Sequence, residues 1–125
     1  SFDVVFSNAV IEHVGGRVGV RIESGRVDHV LRRAHLRRAD LVVLDPPRSG
    51  AGKTVVDQIG RLRPRRVAYV ACDPAALARD LRWLADRAGY RLDDLRAFDL
   101  FPMTHHVECV ALLLPIADDE GSSAP

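Results

Sequence analysis

The sequence predicts an α/β fold with a mainly parallel sheet that ends in an antiparallel pair of strands. Short apolar runs bounded by turn residues alternate with amphipathic stretches along its 125 residues, which is typical of strands joined by helical crossovers. Only residues 100–106 separate the last two apolar runs. A parallel crossover needs about a dozen residues or more, so this final pair is expected to be antiparallel.

Four elements are predicted in the first third of the chain. Strands are expected at Phe2–Ser7 and, more weakly, at Val18–Glu23, and a helix over Val27–Arg38. Its apolar face would carry Val27, Val30 and Leu31, with Ala34 as a further candidate. Leu41–Leu44 is a continuous apolar run, as expected of a strand that is covered on both faces.

The remaining elements follow the same alternation. They are a helix over Thr54–Leu62 with Val55, Val56 and Ile59 inward, a strand over Val67–Ala71, a helix over Pro74–Ala88 with Leu77, Leu81, Leu84 and Ala88 in one stripe, and strands over Leu92–Asp99 and Val107–Leu114. Asp73 is placed to cap the last helix and Gly89 to end it. The small, polar stretch 116–125 is predicted to be a disordered tail.

Composition excludes some classes of protein. The net charge is +1, with 47% hydrophobic and 28% charged residues, so no overall field attracts nucleic acid or membranes. No apolar run approaches the roughly 20 residues of a membrane span, and the acidic, non-basic start argues against a signal peptide. Cys72 and Cys109 lack CxxC spacing; two reduced thiols in a cytoplasmic protein are expected, with a disulfide left open.

Ligands of such sheets bind at the carboxyl ends of the strands. Three polar segments fall there: DPPR (45–48), ACDP (71–74) and FPMTHHVE (101–108). The first runs into GAGKT, which suggests a phosphate-binding loop, but Pro47 stands where that pattern requires glycine. We therefore interpret Gly50 and Gly52 as turn residues and Lys53 as solvated.

The DPPR segment presents Asp45 on a stiff support. Two successive prolines hold the backbone extended, so the Asp45 carboxylate can accept hydrogen bonds from a ligand, and Arg48 can pair with Asp45 or with a phosphate. The alternative is a rigid turn with an exposed ion pair, and this is the interpretation that we favour for DPP alone.

Cys72 is the second candidate. It lies between the end of a buried strand and the start of a helix, where helix N-termini favour negative charge and reactive thiols are found. The alternative is a small buried hydrophobe, the commoner fate of a free cysteine.

The third segment carries Glu108. It precedes an apolar strand, so its carboxylate is expected either to pair or to act as an acid or base. The adjacent His105 and His106 would point to opposite faces of a strand, and no third ligand is suitably spaced, so no metal site is predicted. Cys109 faces the other way and is predicted to be core.

Two arginine-rich stretches, RRAHLRR (32–38) and RLRPRR (61–66), have two interpretations. They could contact RNA phosphates, or they are solvated helix faces, which is the interpretation we favour from the sequence.

Together, DPPRSG, YVACDPAALARDL and FPMTHHVECVALL resemble the RNA (uracil-5-)-methyltransferase family in order and interval, from about Asp40 to Pro115. The resemblance implies a Rossmann-like methyltransferase fold, of which this chain would be the C-terminal half. It implies methyl transfer from S-adenosylmethionine to uridine carbon 5 in tRNA or rRNA. Residues 1–115 would be a partial catalytic domain with an atypical segment at 1–16.

The resemblance also implies roles for the three candidates. Cys72 would add to uracil carbon 6 so that carbon 5 can take the methyl group, and Glu108 would then remove the carbon 5 proton. Asp45 would contact the cofactor or the uracil, whose base must leave its stack. The family commonly has Asn where this chain has Asp73. A homodimer would be one way to cover an exposed sheet edge.

The N-terminal segment supports two alternatives. SFDVVFSNAVIEHVGG resembles the fourth-strand motif of small-molecule methyltransferases, yet FDVVFSN and DLVVLDPPR then claim the same place in one sheet. No glycine-rich loop for S-adenosylmethionine is recognisable after the first strand. The chain could therefore also be a small-molecule methyltransferase, or an inactive remnant that binds RNA.

Overall fold

A computed structural model describes residues 4–6, 9–14, 17–21, 25–33, 36–99, 103 and 107–117 of the chain. Within them, seven strands form one sheet in the order β3-β2-β1-β4-β5-β7-β6. The strands are β1 (Val4–Phe6), β2 (Ala9–Val14), β3 (Arg17–Arg21), β4 (Leu41–Leu44), β5 (Arg66–Ala71), β6 (Tyr90–Phe98) and β7 (Glu108–Pro115). The helices are α1 (Val27–Arg33), α2 (Lys53–Leu62) and α3 (Pro74–Trp83), and α3 continues as a π-helical turn over Leu84–Ala88.

The predicted α/β fold, with parallel central strands and a final antiparallel pair, is confirmed, within a mixed sheet in which two of the six pairings of described strands are parallel and four are antiparallel. β1, β4 and β5 are parallel neighbours, whereas β7 runs antiparallel to both β5 and β6. The helix α2 provides the crossover between β4 and β5. The short link before β7 permits only an antiparallel return.

The amino-terminal strands differ from the prediction. β2, which was not predicted, pairs antiparallel with both β1 and β3. Links of two residues suffice for such hairpins, and the Gly15–Gly16 pair between β2 and β3 is a hairpin signal that the sequence analysis missed. Because β1 lies beside β4, the two similar strands FDVVFSN and DLVVLDPPR do not compete for one position.

Helix α1 is shorter than predicted, since it ends at Arg33 rather than Arg38. Extending it would place Arg33 and Arg37 four residues apart on one helix face, where like charges repel. Val27 and Leu31 pack against the core as expected, while Ala34 lies outside the described residues.

Helix α3 follows the prediction closely. The Asp73 side chain accepts a hydrogen bond from the Ala75 N–H at 3.0 Å, which caps the helix. Gly89, at a φ of 80°, ends the π-helical turn. Arg87 in that turn donates to both carboxylate oxygens of Asp57 on α2, at 2.9 and 2.8 Å, and this hydrogen bonding lowers the pKa of Asp57.

Burial alternates along the central strands. One face of the sheet packs with the helices into the core and is almost wholly buried; it carries Val42, Leu44, Val67, Tyr69, Ala71, Cys109, Ala111 and Leu113. The intervening residues are partly or largely exposed, including Leu41 and Val43 and Leu112, which is 43% exposed. The expectation that Leu41–Leu44 is covered on both faces is therefore not met by the described residues.

The remaining predictions concern the buried faces of the helices and the tail. Val55, Val56 and Ile59 of α2 and Leu77 and Leu84 after Cys72 are buried as predicted, and Leu81 and Ala88 pack against them. The predicted tail lies outside the described residues from 118 onward. None of the described helices has the length and apolar character needed to cross a bilayer.

Replacing Leu84 by alanine is expected to lower the free energy of unfolding by about 2–5 kcal/mol, as is usual for a buried leucine. Leu84 is 0% exposed, so the substitution leaves a cavity between the helices and the sheet. Urea unfolding measures the change. The matched control is Leu95→Ala, because Leu95 is 49% exposed, and its expected effect is within about 0.5 kcal/mol. Equal losses in the two variants would contradict this description of the core.

Candidate active site at the carboxyl ends of the central strands

The sheet topology brings all three candidate residues to one edge. Asp45 directly follows β4 and Cys72 directly follows β5, and these strands are parallel neighbours. Glu108 is the first residue of β7, which runs antiparallel to β5 and therefore starts where β5 ends.

The strand register sets Cys72 and Glu108 at neighbouring positions of the same edge. The last paired residues of β5 and β7 are Ala71 and Cys109, and continuing this register by one position would set Cys72, just beyond β5, opposite Glu108. Residues directly opposite each other in antiparallel strands project to the same face, with Cα atoms about 4.5–5.5 Å apart. The thiol and the carboxylate thus belong to one side of the sheet.

That side is the one that the described helices leave uncovered. Ala71 and Cys109 are buried on the helix side, and successive residues of a strand alternate between faces. Cys72 and Glu108 are both half-buried, which leaves them accessible to a substrate. Cys109 is 8% exposed and belongs to the core, as predicted, and both cysteines are free thiols.

Asp73, beside the thiol, is engaged by helix α3. Its carboxylate accepts the Ala75 N–H and sits at the positive end of the helix, where a negative charge is stabilised. Asn and Asp are about equally good at this capping position. The departure from the family's usual Asn therefore preserves the local structure.

Asp45 lines a pocket of about 440 Å³ beside the tip of β4. One wall is the segment 25–28 at the start of α1, and the other is the loop 44–51 with Val55 of α2. Asp45 itself is exposed, and among the described residues it forms no ion pair with Arg48. Its carboxylate is left available to a ligand rather than engaged in a structural turn.

A buried carboxylate that the sequence analysis did not single out holds this loop in place. Asp80 of α3 is 0% exposed and accepts hydrogen bonds from the Ala51 N–H at 2.7 Å and the Tyr69 hydroxyl at 2.5 Å. Arg79 pairs with Asp80 at 3.2 Å and donates to the Ser49 carbonyl at 2.6 Å. Burial, followed by the hydrogen bond to Asp80, raises the pKa of Tyr69.

This network ties the two halves of the site together. Ala51 and Ser49 belong to the loop that carries Asp45, whereas Asp80 lies on the helix that follows Cys72. The sequence does contain a signal for Asp80, since it lies three residues after Leu77 and four before Leu84, within the apolar stripe of α3. An acid at such a position must be paired.

Gly50 is the residue of the loop 44–51 that lies against Arg79 and Asp80. Its φ is 88°, and a Cβ atom there would lie 2.5 Å from Arg79 Nη2 and 2.6 Å from Asp80 Oδ2. Gly52 shares the φ of 88°, but a Cβ on it would meet nothing within 4 Å. Both are turn residues, as predicted. Lys53 is exposed, and its Nζ lies 5.2 Å from the centre of the Trp83 ring.

The segment between β6 and β7 is largely outside the described residues. His105 and His106, which were examined as metal ligands, fall there, as does most of FPMTHH. Within the described part of the chain, no group of three or more His, Cys, Asp or Glu side chains is arranged to hold a metal ion.

Comparison with known proteins assigns the family. The family model described as tRNA (uracil-5-)-methyltransferase matches residues 26–115. The chain belongs to this family. An uncharacterized RNA methyltransferase of Streptomyces avermitilis is 63% identical over 98 residues, which is 78% of this chain and 22% of that protein. A second, from Bifidobacterium longum, is 54% identical over 89 residues, 71% of this chain and 20% of that protein.

A solved structure agrees with this assignment. The tRNA (uracil-54, C5)-methyltransferase of Pyrococcus abyssi, in complex with S-adenosyl-L-homocysteine, matches with a TM-score of 0.56 and 42% identity. The match covers 63% of this chain and 19% of the Pyrococcus chain. The methyltransferase family member described here thus spans about a fifth of the length of its curated relatives, and its fold is part of a methyltransferase domain.

Gly50→Ala is expected to destabilise the protein more than Gly52→Ala. The two glycines share the same φ, so each alanine carries backbone strain of roughly 1–3 kcal/mol. Only the substitution at Gly50 also pushes into Arg79 and Asp80. Urea midpoints of the two variants measure the difference. If Gly52→Ala proved equally or more destabilising, the close contact between the loop and α3 would be refuted.

Proposed function

We propose that this chain is the carboxyl-terminal part of an enzyme that methylates carbon 5 of uridine in tRNA or rRNA, with S-adenosylmethionine as the methyl donor. The observation that supports the proposal is the register of β5 and β7, which ends with Ala71 opposite Cys109; one position further on, the Cys72 thiol and the Glu108 carboxylate would share one accessible face at the carboxyl edge. The family membership supplies the reaction class.

The two side chains suit the chemistry of this reaction. Carbon 5 of uracil is too weak a nucleophile to take a methyl group unaided. When Cys72 Sγ forms a bond to carbon 6, the electron pair of the carbon 5–carbon 6 double bond moves into an enolate, and carbon 5 becomes nucleophilic. After carbon 5 is methylated, Glu108 accepts its proton. The electron pair left behind re-forms the double bond and expels Cys72 as a thiolate.

The pocket beside Asp45 fits a cofactor of this kind. Its volume of about 440 Å³ lies within the usual range of small-molecule sites. Asp45 offers an acceptor for the ammonium or hydroxyl groups of the ligand, and Gly50 lets the loop 44–51 lie close to its support on α3. S-adenosylmethionine, when bound, supplies a methyl group activated on a sulfonium. Asp45 would hold its polar groups, or those of the uracil, at the tip of β4.

The placement of the thiol bears on how an RNA substrate would bind. Cys72 is half-buried at a sheet edge, so a uracil must leave its stack to bring carbon 6 to the sulfur. RNA as the substrate and free thiols at the site are consistent with a cytoplasmic enzyme.

A stable adduct with RNA that contains 5-fluorouridine tests the role of Cys72. With fluorine at carbon 5, Glu108 has no proton to remove, so the Cys72–carbon 6 bond is expected to persist in denaturing gels when S-adenosylmethionine is present. Cys72→Ala should abolish the adduct, whereas Cys109→Ala, the control cysteine, should retain it because Cys109 is buried in the core. An adduct that survives in Cys72→Ala would refute the assigned nucleophile.

The variant Glu108→Gln tests the role of the general base independently of the role of the nucleophile. With ordinary uridine RNA, this variant is expected to lose about 10²–10⁴ of the turnover rate, the usual contribution of a general base, and to accumulate the methylated adduct. The same variant should form the fluorouridine adduct as the unaltered protein does. If turnover is lost and no adduct accumulates, the carboxylate acts before proton removal and its assigned role is wrong.

Asp45→Ala is expected to weaken S-adenosylmethionine binding about tenfold or more, because hydrogen bonds to charged groups contribute about 1.5–3 kcal/mol. Isothermal titration calorimetry measures the affinity. Asp86→Ala is the control, since Asp86 is an exposed carboxylate in an ion pair with Arg82, away from the pocket. Equal affinities of the two variants would remove Asp45 from the cofactor site.

A further inference from the structure

We propose that arginines at the amino ends of β4 and β5 form a second contact surface for the RNA substrate, at the edge of the sheet opposite Cys72. This inference rests on the proposed function, because it supplies an additional anchor for the same RNA. The arginine patch comprises Arg33, Arg37, Arg38, Arg61, Arg63 and Arg66.

The fold joins two arginine-rich stretches that are separate in sequence. The Ala39 N–H donates to the Leu62 carbonyl at 3.0 Å, and the Arg65 N–H donates to the Asp40 carbonyl at 2.9 Å. Leu41, the first residue of β4, is the strand partner of Arg66. The segment after α1 and the segment after α2 therefore run side by side, and their arginines form one surface.

Nearby acids compensate the charge of this patch only in part, since Arg61 interacts electrostatically with Asp57 and Asp40 pairs with Arg65. Most other described arginines form ion pairs, namely Arg26 and Arg32 with Asp28, Arg65 with Asp40, Arg79 with Asp80, Arg82 with Asp86, Arg87 with Asp57, Arg91 with Asp93 and Arg96 with Asp94. The six patch arginines are exposed, and none of them forms an ion pair with a described residue. Positive charge is thus concentrated locally in a chain whose net charge is only +1.

A hollow of about 230 Å³ opens beside the patch, between α1 and α2. It has apolar walls from Leu31, Leu36 and Leu62, and Arg32 and Arg61 also line it. This combination suits a nucleotide, whose base can pack on apolar side chains and guanidinium planes while its phosphates meet arginines.

Gln58 contributes to the hollow a polar side chain with one atom that the described residues leave without a hydrogen-bond partner. It lines the hollow, is only 7% exposed, and its Nε2 donates to the Asp28 carbonyl at 2.7 Å. Its Oε1 is buried and accepts no hydrogen bond from the described residues. A buried acceptor of this kind normally has a partner, and the hydroxyl or amino group of a nucleotide is a suitable donor.

The position of the patch fits a long ligand rather than a small one. Helix α2 runs from the catalytic edge to the patch, and its ten residues span about 15 Å. Cys72 and the patch lie at opposite ends of the central strands, so the two sites would contact different nucleotides of one RNA. Phosphate contacts of this type position a nucleic acid without reading its sequence.

Fluorescence anisotropy of the full chain with a single-stranded RNA made only of A and C tests this surface. Such an RNA contains no uridine and cannot react with Cys72. The double variant Arg37→Glu/Arg61→Glu is expected to bind it at least about tenfold more weakly near 0.1 M salt. The slope of log affinity against log salt should fall by roughly 1–2, as expected when one or two phosphate contacts are lost.

The control is Arg82→Glu/Arg96→Glu, which makes the same charge change at exposed, ion-paired arginines outside the patch. It is expected to bind within about twofold of the unaltered chain, because its phosphate contacts are retained. Equal weakening in both double variants would show a general charge effect and overturn the proposal, as would unchanged binding in the patch variant. If circular dichroism shows that charge reversal unfolds the chain, the milder variant Arg37→Gln/Arg61→Gln replaces it. Weaker RNA binding is expected again, and unchanged binding would overturn the proposal.

Cys72→Ala separates this inference from the catalytic proposal. It should bind the uridine-free RNA as tightly as the unaltered chain while failing to form the fluorouridine adduct. If the unaltered chain formed no adduct, or Cys72→Ala still formed one, while RNA binding stayed dependent on the patch, the catalytic proposal alone would be rejected. Loss of patch dependence with an intact adduct would reject the RNA surface alone.

Discussion

The antiparallel pairing of β5 with β7 is the constraint on which the site depends. Ala71 opposite Cys109 places two small buried residues on the helix side, and the next positions, Cys72 and Glu108, then share the other face. A shift of register by one residue would turn every side chain of one strand to the opposite face. If β7 shifted in this way, the thiol would stay on the uncovered face while the carboxylate would turn towards packed hydrocarbon. The core packing of Ala111 and Leu113 holds β7 in this register, and it therefore also determines which face carries Glu108.

The buried carboxylate of Asp80 is a second constraint, because it links the loop of Asp45 to the helix that begins beside Cys72. Asp80 lies on the helix that begins beside Cys72, and it binds the backbone of the loop that begins at Asp45. Because Asp80 is wholly buried and Tyr69 donates to the same carboxylate oxygen, the loop has a stiff support. The pocket beside Asp45 and the thiol at the end of β5 are thus held by one network, although 27 residues of sequence separate them.

Much of the central fold follows from local patterns. The strand Leu41–Leu44 and the antiparallel return of β7 were predicted from apolar runs and from the short link that precedes β7. The cap at Asp73 and the end at Gly89 follow from backbone chemistry that acts over a few residues. The first strands were predicted less well, because AVIEHV lacks a clear period and only the glycine pair 15–16 in the sequence indicates a hairpin. The pattern of apolar residues does not report the early end of α1, whereas two arginines four residues apart disfavour a longer helix.

The sequence by itself determined the family, the identity of the thiol and carboxylate candidates, and the order of the elements, because these depend on residue types and on spacings along the chain. Only the tertiary structure decided that Cys72 and Glu108 share a face, that Asp80 supports the loop of Asp45, and that two arginine stretches form one surface. Each of these joins segments that lie more than 20 positions apart in the sequence. The physical reason is that strand pairing and burial bring such residues together, and neither is encoded in a short stretch of sequence.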